Sequence, residues 1–374
     1  MASISGPLNP REGHHPILPS TEIDPSLEEL VSEFPEKLPA GPTPFSGVLA
    51  VQMDDGAVVK ASHCANGAAF DPDRPFNVLS VGKLFTAVAV MQLIEQKIEV
   101  NGAVLSLDTP LSDLLTEAER NLKLDLPYIG PSRDDLEKLN AHADRITLKH
   151  LLAHTAGFLE EPLPPVWKPE LVGIYEYSNF GYQLLAIIIG KYSKVGDREN
   201  PETGFKNHVI RCIFEKAEME GALREIAQSS IASDPARFDV VEDQDTHTVS
   251  MKPVDPREPE PLPHGNGCWR MKANDLLLFA KAMRNNSLIT ADSFKAMLEE
   301  DPPLGFMIKK GEKKGDPIKF WGHPGHGPGM SADLCSYNTN TGSSRTVTTA
   351  ILSNTKNGAD LAHELFAKKF DEKI

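Results

Sequence analysis

The stretch FNVLSVGKLFTAVAVMQLIEQK, Phe76 to Lys97, constrains the fold of this chain more than any other. Phe76 to Leu79 is short and apolar, and the run after Ser80 stays apolar for longer than a strand requires. The pattern predicts a turn into a buried helix that starts at or beside Ser80. On such a helix Ser80 and Lys83 are three residues apart and share a face, so a hydroxyl and an amine meet at the mouth of an apolar segment. Desolvation there lowers the pKa of an amine. Part of it is then neutral and able to take the proton of a serine attacking a carbonyl. Backbone N–H groups at the helix start would face the negative charge that develops on the carbonyl oxygen. Taken alone, S-x-x-K also describes an N-cap serine followed by a lysine that reaches solvent.

With 374 residues, 40% of them hydrophobic, the chain can bury a large core. A formal charge of −15 with scattered Lys and Arg argues against nucleic-acid and anionic-membrane partners, either of which needs a clustered basic face. Cys64, Cys212, Cys268 and Cys335 lie far apart and form no C-x-x-C pair, which suits buried thiols in a reducing compartment. Residues 1 to 40 carry prolines and acids where a signal peptide needs a basic start and an apolar run, and no stretch approaches the length of a membrane span. A cytoplasmic protein is expected. Asn285-Asn286-Ser287 has the form of a glycosylation acceptor but reads as a surface turn.

Along the chain, residues 1–40 form an arm and a short helix, SLEELVSEF. After a break at Gly41 to Thr43, FSGVLAVQM and AVVKASHC read as a hairpin about Asp54 to Gly56. ITLKHLLAHTAGF, Ile146 to Phe158, reads as a short helix stopped by Gly157, with Leu151 and Leu152 buried. Glu160 to Glu170 is proline-dense and is expected to be irregular, forming a pocket wall. An apolar helix is expected from about Gly181, another over 208–225, and one over Met271 to Asn286 with Asn274 or Asp275 as its cap. PVDPREPEPLPHG is expected to be loop. LGFMIKK, PIKFWGH and a hairpin turning at Asn338 to Gly342 close the sheet, and ADLAHELFAKKF is the last helix. The expectation is an α/β (α+β) architecture: an antiparallel sheet flanked by helices, built from residues 41–100 and 264–374, with 101–263 as an embedded, mainly helical subdomain.

Three sites stand out at the edges of these elements: Ser80-Val81-Gly82-Lys83, Tyr177-Ser178-Asn179, and Gly322-His323-Pro324-Gly325-His326-Gly327. Together they resemble the motifs S-x-x-K, Y-x-N and K-T-G or H-x-G of the penicillin-recognising serine hydrolases. These comprise class C β-lactamases, D-alanyl-D-alanine carboxypeptidases, and related esterases and transacylases. LKHLLAHTAG and GNGCWRMKANDLLLFAKAM resemble the family's flanking regions, and the resemblance covers roughly residues 41 to 370. It implies the β-lactamase/transpeptidase-like fold.

The resemblance also implies roles. Ser80 would be the nucleophile, Lys83 its activating partner and Tyr177 a proton shuttle, while Asn179 would donate to a substrate carbonyl. His323, Gly325 and His326 would line the substrate, and the backbone N–H groups of Ser80 and His326 would form the oxyanion hole. Considered apart, Tyr177 also fits a hydrogen-bonded interface tyrosine, Asn179 a helix cap, and the His323–His326 pair two ligands of a zinc site; glycines around that pair favour backbone approach to substrate over metal. No metal and no cofactor are therefore expected.

Two departures matter. His323 and Pro324 replace the K-T-G lysine and threonine, and a bulky His326 occupies a commonly small position, where it could narrow the pocket or contact the acyl group. The expected activity is hydrolysis of small acyl esters through an acyl-Ser80 intermediate. Alternatives are a β-lactamase, a D-amino-acid peptidase or amidase, an acyltransferase of secondary metabolism, or a catalytically silent binding protein. The partner is a small acyl compound, and a homo-oligomer is compatible with the sequence.

Overall fold

The computed structural model describes residues 28–29, 31, 45–63, 71–120, 131–160, 164–197, 200–223, 238–243, 248–253, 265–267, 269–310, 318–338, 345–356, 358–360 and 362–363. Six strands make one antiparallel sheet: β1 (Gly47–Met53), β2 (Val58–His63), β3 (Met307–Lys310), β4 (Ile318–Gly327), β5 (Met330–Asn338) and β6 (Thr346–Ser353). Their order is β3-β4-β5-β6-β1-β2, so the two ends of the chain meet where β1 pairs with β6. The expected hairpin at Asp54 to Gly56 joins β1 to β2.

Every residue of β1 is buried because both faces of the sheet are covered. Val48 and Ala50 join Ala350 and Leu352 in the larger core, which holds the helices. Leu49 and Val51 join Val347, Ile351, Ala359 and Ala362 on the other face. This is the period-two alternation of a strand, hidden in the sequence because neither face is polar.

Helix α1 (Lys83–Glu95) is the central helix, preceded by a 3-10 turn over Leu79–Gly82. Lys83 to Leu93 are all buried, as suits a helix apolar on every side. Phe85 meets the rings of Phe214 and Phe279 edge-on at 5.1 and 4.9 Å, geometries favoured by the ring quadrupole. The remaining helices that position the site are α2 (Leu148–Leu152), α3 (Asn179–Tyr192), α4 (Pro201–Val209), α5 (Ala273–Arg284) and α6 (Ala291–Glu299). No helix among the described residues is long and apolar enough to cross a membrane.

Several local expectations are corrected. The segment thought irregular contains a strand, Val166–Val172, paired with Ala156–Leu159. Its register shifts between Ala156 and Phe158, and Pro169 falls in that irregular part, where its missing N–H breaks no ladder bond. Helix α2 accordingly stops at Leu152, before a left-handed His154 (φ 56°), and Gly157 belongs to the strand.

Helix α3 starts at Asn179 rather than Gly181, capped by Ser178. The helix expected over 208–225 begins at Pro201, where Asn200 accepts from the Thr203 N–H at 3.0 Å, and it loosens into a π turn over Ile210–Phe214. The cap of α5 is Lys272. Asp275 lies one turn inside and accepts from the backbone N–H groups of Lys272 and Gly221 at 2.9 and 3.0 Å. The turn at 339–344, most of the closing helix, most of the first helix, the break at 41–43, the acidic loop at 254–264, and Cys64 and Cys268 lie outside the described residues. Cys335 is buried and Cys212 half-buried, and both are free thiols.

His208 fills a polar gap between α4 and α1. Its Nε2 lies 2.9 Å from Gln92 Oε1 and its Nδ1 2.8 Å from Ser193 Oγ. The Gln92 amide nitrogen donates to the Cys212 and Leu288 carbonyls, so its oxygen accepts and His208 carries its proton on Nε2. Burial pushes the imidazole pKa down to about 4, with Lys216 adding to the effect. A histidine depressed in the folded state contributes stability above its unfolded pKa and loses it as pH falls. The stability lost in His208→Gln is therefore expected to shrink by about 2 kcal/mol between pH 7 and pH 5. Urea unfolding of both proteins at the two pH values measures it, and an equal difference at both would contradict a neutral His208.

Candidate active site

The chain reaches Ser80 through a tight turn. Leu79 adopts φ 51°, left-handed for a residue with a Cβ, at a cost of ~1–2 kcal/mol. Its N–H donates to Asn77 Oδ1 at 2.9 Å. Gly267 (φ 135°) closes over this turn, and a Cβ there would lie 2.0 Å from the Leu79 carbonyl oxygen. On the other side β4 runs past: a Cβ on Gly325 would meet the Val78 carbonyl oxygen at 2.6 Å and the Ser80 nitrogen at 3.1 Å. Only glycine allows β4 to approach the Ser80 backbone this closely, which is the reason for the glycine in H-x-G.

Lys83 is the first residue of α1 and is fully buried. Its ammonium donates to Ser80 Oγ at 3.1 Å, to Asn179 Oδ1 at 2.8 Å and to the Asn266 carbonyl at 2.8 Å. It also lies 4.9 Å from the Tyr177 ring centroid and 5.5 Å from that of Tyr182. The alternative of a lysine reaching solvent is thus overturned. A buried cation needs its lost hydration replaced, and these oxygens and ring faces replace it.

His323, on β4, is buried, with its ring centroid 6.2 Å from that of Tyr177. Its Nδ1 contacts its neighbour's carbonyl, Pro324 O, which can only accept, so the proton sits on Nδ1. Burial, reinforced by the positive charge of Lys83, pushes its pKa down to about 3. His323 is neutral throughout the physiological range. His326 faces elsewhere: its Nε2 lies 2.8 Å from Asp360 Oδ2, and that partner raises its pKa. Its imidazole meets Asp360 on the face of β4 opposite to that of His323, because alternate side chains of a strand point to opposite faces of the sheet. Among the described residues no group of three His, Cys, Asp or Glu side chains could hold a metal ion.

Two residues escaped the sequence reading. His154 is buried between Tyr177 and Tyr182, stacked on them at 4.5 and 4.9 Å, and its Nδ1 accepts the Ser178 N–H at 3.0 Å. Burial and then the Lys83 charge hold it well below the usual histidine pKa, so it is a neutral wedge behind Tyr177. Glu160 supplies one oxygen, Oε1, to Ser178 Oγ at 2.9 Å, the Asn179 N–H at 2.7 Å and the Phe180 N–H at 3.1 Å. A carboxylate shortly before Y-x-N was visible in the sequence. Its reach back to the start of α3 was not.

The structure therefore gathers Ser80, Lys83, Asn179, Tyr177, His323 and Gly325 around one turn, and pairs the His326 side chain with Asp360. A buried amine one helical turn from a hydroxyl, at hydrogen-bond distance, with a tyrosine beside it, is the chemistry of a penicillin-recognising serine hydrolase. A family model described as Beta-lactamase matches residues 37–371, and the chain belongs to that family.

Among solved structures, the chain resembles a penicillin binding protein from Bacillus halodurans (20% identity, TM-score 0.61, covering 92% of this chain and 99% of that one). It also resembles D-amino acid amidase from Ochrobactrum anthropi SV3 complexed with D-phenylalanine (15% identity, TM-score 0.65, 94% and 100% covered). A third is the octameric penicillin-binding protein homologue from Pyrococcus abyssi (18% identity, TM-score 0.58, 93% and 77% covered). No curated protein matches the chain.

Proposed function

We propose that this protein hydrolyses small acyl esters through a covalent acyl-Ser80 intermediate. The observation that carries the reading is Lys83 Nζ at 3.1 Å from Ser80 Oγ, buried and held by Asn179 and Asn266. Ser80 attacks the ester carbonyl, and its proton passes to Lys83 in the neutral amine form, or to Tyr177. The oxyanion is met by the backbone N–H groups of Ser80 and His326. Collapse of the tetrahedral intermediate breaks the C–O bond, and the alcohol leaves with a proton from Tyr177, which the Ser80 proton replaces through Lys83; water then gives a proton to the same pair, attacks the acyl carbonyl and releases the acid as Ser80 takes that proton back. An acceptor other than water would make the same site a transacylase.

Ester preference is supported by neutral His323 and by Pro324, which offer no cation and no hydroxyl where the related K-T-G motif has both. A second reading, amide hydrolysis, is favoured by the Tyr177 ring 4.9 Å from the Lys83 ammonium, since an amine leaving group needs a nearby proton donor. The likeness to D-amino acid amidase supports it at the level of the fold. Free Cys212 and Cys335 suit a cytoplasmic setting, and the octameric relative makes self-association a natural companion proposal.

Labelling with a fluorophosphonate probe tests the reading. Intact-mass spectrometry should show one adduct, mapped to Ser80 and missing in Ser80→Ala, and an adduct that survives that substitution would refute it.

A further inference from the structure

We propose that Glu160 is a positioning residue for acyl transfer, holding Asn179 and Tyr177 in register with Lys83. This rests on the acyl-Ser80 reading. The start of α3 has a row of backbone donors that need acceptors, and its first residues belong to the Tyr177-Ser178-Asn179 motif. Glu160 Oε1 takes the N–H groups of Asn179 and Phe180 together with the Ser178 hydroxyl hydrogen, and Ser178 Oγ in turn accepts the Gly181 N–H at 3.0 Å. His154 Nδ1 takes the Ser178 N–H. The donors of 178–181 are thus all held, directly or through Ser178, by two side chains of the segment 154–160.

Fixing the backbone here fixes the chemistry. Asn179 is the first residue of α3, and its Oδ1 accepts from Lys83 alongside Ser80 Oγ and the Asn266 carbonyl. Tyr177 lies two residues earlier, stacked on His154. A carboxylate also suits the positive end of the α3 dipole, so the contact is charge-assisted as well as geometric. Without Glu160 the start of α3 must find water instead, and Asn179 and Tyr177 lose their anchor. A shift near 1 Å in groups of this kind costs roughly 10²-fold in rate while leaving substrate contacts elsewhere intact. The effect therefore belongs in kcat, not in KM.

The experiment is steady-state hydrolysis of p-nitrophenyl acetate by native enzyme, Glu160→Ala and Glu160→Gln, with active sites counted by fluorophosphonate labelling. Glu160→Ala is expected to lower kcat by ~10–100-fold with KM within about twofold, and Glu160→Gln, which keeps an acceptor oxygen, to fall between it and the native enzyme. Values of kcat within about twofold of native in the folded variants overturn the proposal, as does a rise in KM at unchanged kcat. If Glu160→Ala does not fold, Glu160→Gln decides: a kcat loss beyond about twofold at unchanged KM supports the role, and none overturns it. Native enzyme that is not labelled at Ser80 sinks the acyl-Ser80 reading instead, so the two failures are distinguishable.

Discussion

Lys83→Ala is expected to lower kcat on a p-nitrophenyl ester by at least ~10²-fold, and Tyr177→Phe by a similar factor, with KM changed far less. Serine hydroxyls are poor nucleophiles near neutral pH, and in the proposed mechanism Lys83 Nζ, 3.1 Å from Ser80 Oγ, takes the proton as the neutral amine. Removing it leaves Asn179 Oδ1 and Asn266 O without their common donor, so stability is measured alongside activity. Lys83→Met, which keeps the volume of the buried chain and lacks the amine, separates packing from chemistry: it should recover the part of the stability that Lys83→Ala loses to the cavity, and turn over as slowly as Lys83→Ala. Tyr177→Phe keeps the ring stacked on His154 and removes only the hydroxyl, so its loss reports proton transfer. Near-native turnover in any of the three would remove the proton-transfer role from that side chain.

A second large effect is expected in substrate choice. The kcat/KM for p-nitrophenyl acetate or butyrate should exceed that for a chromogenic cephalosporin by at least ~10², about 2.7 kcal/mol in transition-state stabilisation, part of which comes from the activated leaving group. A β-lactam brings a carboxylate whose hydration must be replaced in a partly dry pocket. His323, with a pKa pushed down to about 3, carries no charge there at pH 5 or at pH 8, and Pro324 has no side-chain donor and no N–H. His326 is occupied with Asp360. Lowering the assay to pH 5 should therefore not narrow the gap through His323. Both substrates measured in one buffer decide the point: comparable efficiency on the cephalosporin would mean that another cation serves its carboxylate, and the β-lactamase reading would replace the ester one.

Much of this site was legible in the chain because its parts are local. Ser80 and Lys83 meet through a spacing of three residues at the start of a helical segment, which the apolar run after Ser80 announces. The order of strands, helices and strands likewise implied a sheet shared by both ends, since hydrophobic strands at the termini need a common partner. Pro169 in a strand, the early start of α3 and the cap of α5 differ from the expectation because a bulge, a distant carboxylate and the reach of Asp275 back to the Lys272 N–H outweigh local propensity.

What only the tertiary structure decided lies in contacts across long stretches of sequence. Lys83 meets Asn179 and Asn266, Glu160 reaches the start of α3, His154 lies behind Tyr177, and Asp360 pairs with His326. Periodicity records which face of an element is apolar and nothing about the polar atoms it will meet. Those partners, together with burial, set the charge of His323 and the acceptors around Lys83, and both arise only when the sheet closes against the Leu79–Gly82 turn.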